Sequence, residues 1–108
     1  MNSALPSDAP IEGRTIHLPV HGSTVTAEDL RTRLVFAADF EGSTEIDAAD
    51  VESVGQAVLQ LLVAAHREAK QSGQSFSIHR PSSAFVQRVV ASRLADAIGL
   101  EIEKDEFQ

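Results

Sequence analysis

The 108-residue chain contains no cysteine, no tryptophan and no tyrosine. Without Cys there is no thiol nucleophile, no iron–sulfur cluster, no zinc knuckle and no disulfide, which fits a reducing compartment. Basic residues are scarce as well: nine Lys and Arg stand against sixteen Asp and Glu, a formal net charge of −7. Such a surface repels a phosphate backbone, so nucleic acid is not an expected partner. Long apolar runs are missing too. The run Leu59 to Ala65 is interrupted by Gln60, and no run approaches the ~18 residues of a membrane span, so no direct membrane insertion is expected. The first ten residues have neither a positively charged start nor a hydrophobic stretch and do not read as a signal peptide, which makes the cytoplasm the expected location.

Catalytic motifs are equally scarce. There is no Gly-x-Gly-x-x-Gly, no Gly-rich loop ending in Gly-Lys-Ser/Thr and no Gly-x-Ser-x-Gly elbow, so nucleotide-dependent or acyl-transfer catalysis lacks its parts. The four histidines, His17, His21, His66 and His79, offer no i, i+4 pair on a helix, and no Cys completes a zinc set. The expectation is a protein with no metal, no cofactor and no enzymatic activity. His17 and His79 are expected to project from a polar sheet face, and His66 from a helix surface.

What is present is a regular alternation of short elements. Residues 1–12 carry Pro6 and Pro10 among Ser and Asp without periodicity and read as a flexible arm. Arg14 to Pro19 alternates, with Ile16 and Leu18 on one face and Thr15 and His17 on the other, as a half-buried strand requires. Thr26 followed by Asp29 resembles a capping box, and Leu30, Leu34, Ala37 and Ala38 then recur at helical spacing, giving a helix over about 27–39 that Gly42 stops. Ser43 to Asp47 reads as a short strand around Ile46. Val54, Val58, Leu61, Leu62 and Ala65 form the apolar stripe of the longest helix, with Gln56, Gln60 and Arg67 towards its other side, Lys70 near its end and Gly73 just past it. Ser75 to His79 is a third strand, Pro81-Ser82-Ser83 opens a last helix running to Gly99, and Leu100 and Ile102 could add an edge strand before the acidic tail, 103–108.

The strands alternate instead of being apolar throughout, so one sheet face should be solvated. The expected fold is therefore an α/β two-layer domain over residues 13–102, a small mixed sheet of about four strands with the helices packed on one face. Polar strand faces argue against an obligate hydrophobic dimer and leave room for a weak homodimer.

The charge distribution is uneven. No Lys or Arg occurs between Arg33 and Arg67, whereas six carboxylates, Asp39, Glu41, Glu45, Asp47, Asp50 and Glu52, gather before the longest helix. They either complement a helix dipole and solubilise loops, or form a negative face that steers a positively charged partner. Gln56 also has two readings. Ser53-Val-Gly-Gln56 fits a capping box in which Ser53 is the N-cap, or Gln56 meets a partner directly.

The segment Glu45-Ile-Asp-Ala-Ala-Asp-Val-Glu-Ser-Val-Gly-Gln-Ala-Val-Leu-Gln-Leu-Leu-Val-Ala-Ala65 resembles the signature of STAS domains, the anti-sigma factor antagonist family of bacteria. In that family a strand leads through an acidic loop into a helix beginning Asp-Ser/Thr-x-Gly-Leu. Gly73 to Ala84, a strand ending in a Pro-Ser helix start, and Ala97-Ile-Gly-Leu100 are similar to the family's later course. The resemblance implies a non-catalytic signalling module that binds a kinase-like anti-sigma factor or a histidine-kinase or chemotaxis component. In that branch a partner kinase phosphorylates the helix-opening Ser or Thr. Aligned through Leu59, the family's Asp falls on Gly55, its phosphoacceptor on Gln56 and its Gly on Val58. Gln56 has no hydroxyl and imitates neither the charge nor the acceptors of a phosphate, so this position is a degenerate phosphoacceptor. The docking face expected from the resemblance comprises Asp47, Asp50, Glu52, Ser53, Gln56 and Gln60. An alternative within the same family is a STAS subunit that braces the ATPase of a lipid-type ABC transporter.

Overall fold

A computed structural model describes residues 15–100. The order of elements is β1 (Ile16–His17), β2 (His21–Gly22), α1 (Thr24–Phe36) running into a π-helical turn (Ala37–Glu41), β3 (Ser43–Asp47), β4 (Ser53–Val54), α2 (Gln56–Ser72), β5 (Ser75–His79), α3 (Ser83–Ala91) and α4 (Ala95–Ile98). Strands β1, β3 and β5 form one sheet in the order β1-β3-β5, and β2 and β4 form a second, two-stranded one.

Alternation of side chains explains how the sheet is used. Ile16, Ile46 and Ile78 stand in one register row, and His17, Asp47 and His79 in the next. Neighbours in a strand point to opposite faces, so the isoleucines line one side and the ionisable row lines the other. Ile16 and Ile46 join a single cluster with Leu30 and Leu34 of α1, Val58, Leu59 and Leu62 of α2, Phe85 and Val89 of α3 and Ile98 of α4. Every helix thus contributes to the core on the sheet's apolar side, and the other side stays polar, as the alternation implied. Each fully buried aliphatic side chain of this cluster contributes about 1.5–3 kcal/mol by leaving water.

Every strand pairing among the described residues is parallel. The antiparallel strand expected of a mixed sheet is not found there: Leu100 is outside any strand, and Ile102, the arm 1–12 and the tail 103–108 lie outside the described residues. Two short strands that the sequence did not suggest, β2 and β4, follow a break of the first edge at Pro19. Proline has no N–H to give a ladder. Past it the Val20 carbonyl accepts from both Glu52 N–H, at 2.8 Å, and Ser53 N–H, at 3.1 Å. This doubled contact starts a separate short pairing, His21 with Ser53 and Gly22 with Val54.

Helix ends depart from expectation in three places. Helix α1 begins at Thr24 with Ser23 as its N-cap, and Thr26 is the residue reaching back: its Oγ1 accepts from the Ser23 N–H at 2.9 Å. Helix α2 begins at Gln56 with Gly55 in an extended conformation as N-cap, so Ser53 caps nothing and belongs to β4. The last helix is two helices. It ends at Ala91, Arg93 adopts a left-handed conformation (φ 60°), and α4 starts at Ala95. The helix signals at Gly42, Gly73, Ser82 and Gly99 are used as expected: the glycines have positive φ and Ser82 Oγ accepts from Phe85 N–H at 3.1 Å.

His66 is a further correction. It does not project from the surface of α2. Its Nδ1 donates to the Ala97 carbonyl at 3.0 Å, and its ring stacks obliquely 5.3 Å from Phe76. A Cβ on Gly99 would come within 2.8 Å of His66 Nε2. Residue 99 is therefore glycine for two reasons, its positive φ and the imidazole packed against it.

Candidate functional site

The β3–β4 connection is held by the main chain on both sides. Ala48 N–H donates to His79 O at 3.1 Å, Ser82 N–H to Ala48 O at 3.0 Å, and Glu52 and Ser53 N–H to Val20 O. Ser82 Oγ–H reaches the Val51 carbonyl at 2.6 Å. Ala48 and Val51 are buried, so the loop is pinned by two apolar side chains as well as by its backbone. What it offers to solvent are the side chains of Asp50, between those two, and of Glu52, just after them.

Asp47, at the end of β3, is of a different kind. It is 7% exposed. Its Oδ1 accepts from Ala49 N–H at 2.8 Å, a short local bond that turns the chain out of the strand. Its Oδ2 accepts from Arg80 Nε at 3.1 Å and also from Arg80 Nη2, and His17 Nδ1 lies 3.8 Å away. The hydrogen bonds from Arg80 hold the Asp47 carboxyl below its ordinary value, against the opposing effect of burial, with Ala49 N–H acting in the same direction as Arg80. Arg80 itself has φ 51°, an unusual backbone for a side chain of this size. On the same polar face His79 Nε2 and Glu45 Oε1 are 2.5 Å apart. Asp47 is therefore occupied inside the chain, where it ties β3 to the residue following β5.

Ser53, Gln56 and Gln60 are exposed. Ser53 Oγ lies 2.9 Å from His21 Nδ1, across the β2–β4 pair. Gln56 is the first residue of α2, and Gln60 follows one turn later on the same side. The Gln56 side chain does not return to Ser53, because the N-cap is Gly55, whose N–H donates to Gly22 O at 2.8 Å. The capping-box reading of Ser53 to Gln56 is thus overturned: β4 takes Ser53 into the sheet before the helix begins. Gln56 Oε1 instead faces Arg88 Nη2 at 3.5 Å. Arg88 spans the gap between elements, donating from Nε to Val54 O at 3.1 Å and from Nη1 to Ser92 Oγ at 2.8 Å. No acidic residue occupies the first turn of α2, so helix-dipole compensation does not account for Asp50 and Glu52 there.

The structure brings Asp50, Glu52, Ser53, Gln56 and Gln60 to one exposed stretch of loop and helix start, and withdraws Asp47 from it. It adds three residues that the sequence did not single out for this place: Arg80, which holds Asp47 where the stretch begins, Arg88, which reaches Val54 O and Gln56, and His21, which lies beside Ser53. Their only sequence signal is a basic side chain just after a strand and another inside an apolar helix. Both arginines act over more than thirty residues, 33 for Arg80–Asp47 and 34 for Arg88–Val54. A separate groove of about 590 Å³ lies between α1 and the second half of α2, lined by Leu34, Val35, Ala38, Leu61, Ala65 and Glu68 among others.

Among the described residues no group of three or more His, Asp or Glu is placed to hold a metal ion, and no helix is long and apolar enough to cross a membrane. No curated protein and no solved structure matches the chain. A family model described as "Mlab, STAS domain" does, over residues 9–101. The match runs through the strand, acidic loop and helix start just described, and through the three-stranded parallel sheet that holds them. By that match the chain belongs to the STAS domain family.

Proposed function

We propose that this protein is a non-catalytic signalling module that docks a larger protein through the residue 48–55 segment, loop and β4, and the exposed start of α2. The observation that carries the reading is the contrast between a loop backbone pinned at both sides and the two exposed carboxylates, Asp50 and Glu52, that it presents. A preorganised loop loses little entropy on binding, and exposed acids steer a positively charged surface towards it. STAS domains commonly mediate protein–protein contacts. In this reading the partner is a kinase-like anti-sigma factor or a histidine-kinase or chemotaxis component, met in the cytoplasm of a bacterium, since a positively charged protein surface is what the exposed carboxylates would steer.

Regulation by phosphate at the start of α2 is not part of this reading. The residue there is Gln56, an amide already facing Arg88, so control would come from the amount or state of the partner.

The test is affinity capture of the tagged protein from its native cells, beside an Asp50→Lys/Glu52→Lys double variant. Recovery of a kinase-type or chemotaxis protein by the native chain and not by the variant supports both the partner class and the docking face. Equal recovery by both removes the docking face. Recovery of a transport ATPase would transfer the function to the transporter branch of the family.

A further inference from the structure

Helix α1 is apolar on two sides. Its inner side buries Ala27, Leu30 and Leu34, while its outer side carries Val25, 86% exposed, and Phe36, 54% exposed. Phe40, in the π turn that follows, is 75% exposed, and its ring lies 4.9 Å from that of Phe36. A helix on a protein surface ordinarily turns charges outward, and π turns inside helices are frequent at functional sites.

Successive helical residues are about 100° apart, so Val25, Asp29, Thr32 and Phe36 share one exposed stripe, with Arg33 at one edge and the exposed Glu28 at the other. Asp29 Oδ2 accepts from Arg33 Nε at 2.8 Å within the chain, and both side chains are well exposed. Read along the helix, the stripe with its Arg33 edge runs apolar, acidic, neutral, basic, apolar; Glu28, on the far edge, falls level with residue 34 of an antiparallel second copy, where the buried Leu34 sets no charge against it. That order is its own complement when reversed.

From this we infer that the outer face of α1 binds a second copy of the same chain, the two helices antiparallel about a two-fold axis level with Arg31. In this arrangement Asp29 stands opposite the second copy's Arg33, and the second copy's Asp29 opposite Arg33. The short Thr32 side chains meet beside the axis. Val25 comes within one residue of the second copy's Phe36 at each end. A two-fold interface requires each patch to fit itself in this way. A parallel pairing would instead set Asp29 against Asp29 and Arg33 against Arg33, which is repulsive. The helix is about 20 Å long, and two such helices cover less than the ~1,200 Å² of a standard specific interface, so the dimer forms in proportion to concentration and is not obligate.

The test is sedimentation velocity of the full chain across a wide concentration series, for the native sequence, for Asp29→Arg and for Arg33→Asp, each alone and then the two variants mixed. The native chain dimerises with rising concentration. Each variant alone places like charges across the axis and weakens the dimer by about tenfold or more. The mixture recovers it, because a chain carrying Asp29→Arg then meets a chain carrying Arg33→Asp with opposite charges at both contacts. Misfolding of either variant would not be repaired by mixing. A native chain that stays monomeric throughout overturns the inference, and so does a dimer that both single variants retain. Loss without recovery on mixing overturns the antiparallel register. A Phe36→Asp chain gives the independent check, since its dimer is lost if the apolar ends take part and persists if they do not.

Discussion

The residue 48–55 loop segment and the outer face of α1 both present exposed side chains, and they are built in opposite ways. The loop is held by backbone hydrogen bonds to Val20, Gly22 and His79 and by Ser82, and shows carboxylates to solvent. The α1 face shows valine and phenylalanine, with one Asp–Arg pair of its own helix between them. A pinned, acidic loop suits recognition of a different, basic surface, where charge sets rate and specificity. An apolar stripe whose charges reverse onto themselves suits a like surface. The same 86 described residues therefore offer two kinds of recognition that need not compete for side chains.

The contrast can be broken most sharply at Ser82. Ser82→Ala removes the N-cap of α3 and the partner of the Val51 carbonyl together, and should cost about 2–3 kcal/mol in urea unfolding. Replacing Phe36 by Ser on the α1 face should cost under ~1 kcal/mol in the same measurement at concentrations where the chain is monomeric. Comparable losses at the two positions would mean that the loop is no more firmly held than the α1 face.

Asp47 sharpens the division within the acidic cluster. Asp47→Asn should destabilise by about 1–2 kcal/mol, since it weakens the hydrogen bonds that a buried carboxylate accepts from the exposed Arg80 and from Ala49 N–H, whereas Asp50→Asn should stay within ~0.5 kcal/mol. The Asp47 effect also carries a pH signature. The folded carboxyl lies below the ordinary value of 3.8, so its contribution is full above that pH and is lost as the pH falls through the lower folded value. The stability gap between native chain and Asp47→Asn should therefore hold constant at neutral and mildly acidic pH and narrow only below about pH 4. A gap that closes at higher pH would show that Arg80 is not what stabilises the charge.

Charge reversal at Asp50 and Glu52 should leave unfolding within ~0.5 kcal/mol and slow association with the captured partner by about tenfold at low salt, with a weaker dependence on salt than the native chain shows. The smallest effect is expected outside both regions. Arg93→Gly relieves a left-handed backbone at φ 60° but adds freedom to the unfolded chain, for a net gain of about 0.5 kcal/mol in thermal unfolding.

Much of this was legible in the sequence because it rests on local periodicity. Ile46 and Ile78 fix the sides of β3 and β5, the stripe of Val58, Leu61 and Leu62 fixes α2, and Ser82 and the glycines mark helix ends where the chain uses them. What was not legible depends on contacts distant in sequence. Ser53 has the residue type and spacing of an N-cap, yet pairing with His21 draws it into β4 and leaves Gly55 to start the helix. Asp47 looks like its neighbours in a run of acids, and only Arg80, 33 residues on, makes it structural. His66 has the position of a surface residue until Phe76 and the Ala97–Gly99 turn close over it. The break at Arg93 has no Gly or Pro to announce it. For the candidate site, the exposure of Asp50, Glu52, Gln56 and Gln60 was readable, and the contacts of Arg80 with Asp47 and of Arg88 with Val54 and Gln56 were not.

The most direct measurement places a photo-cross-linking amino acid at position 52 in one chain and at position 36 in another, and irradiates each in its native cells. Position 52 should join the chain to a larger, different protein, and position 36 should join it to a second copy of itself. A chain that cross-links to itself from position 52, or to the same larger protein from position 36 alone, would contradict the assignment of the acidic loop as the docking face.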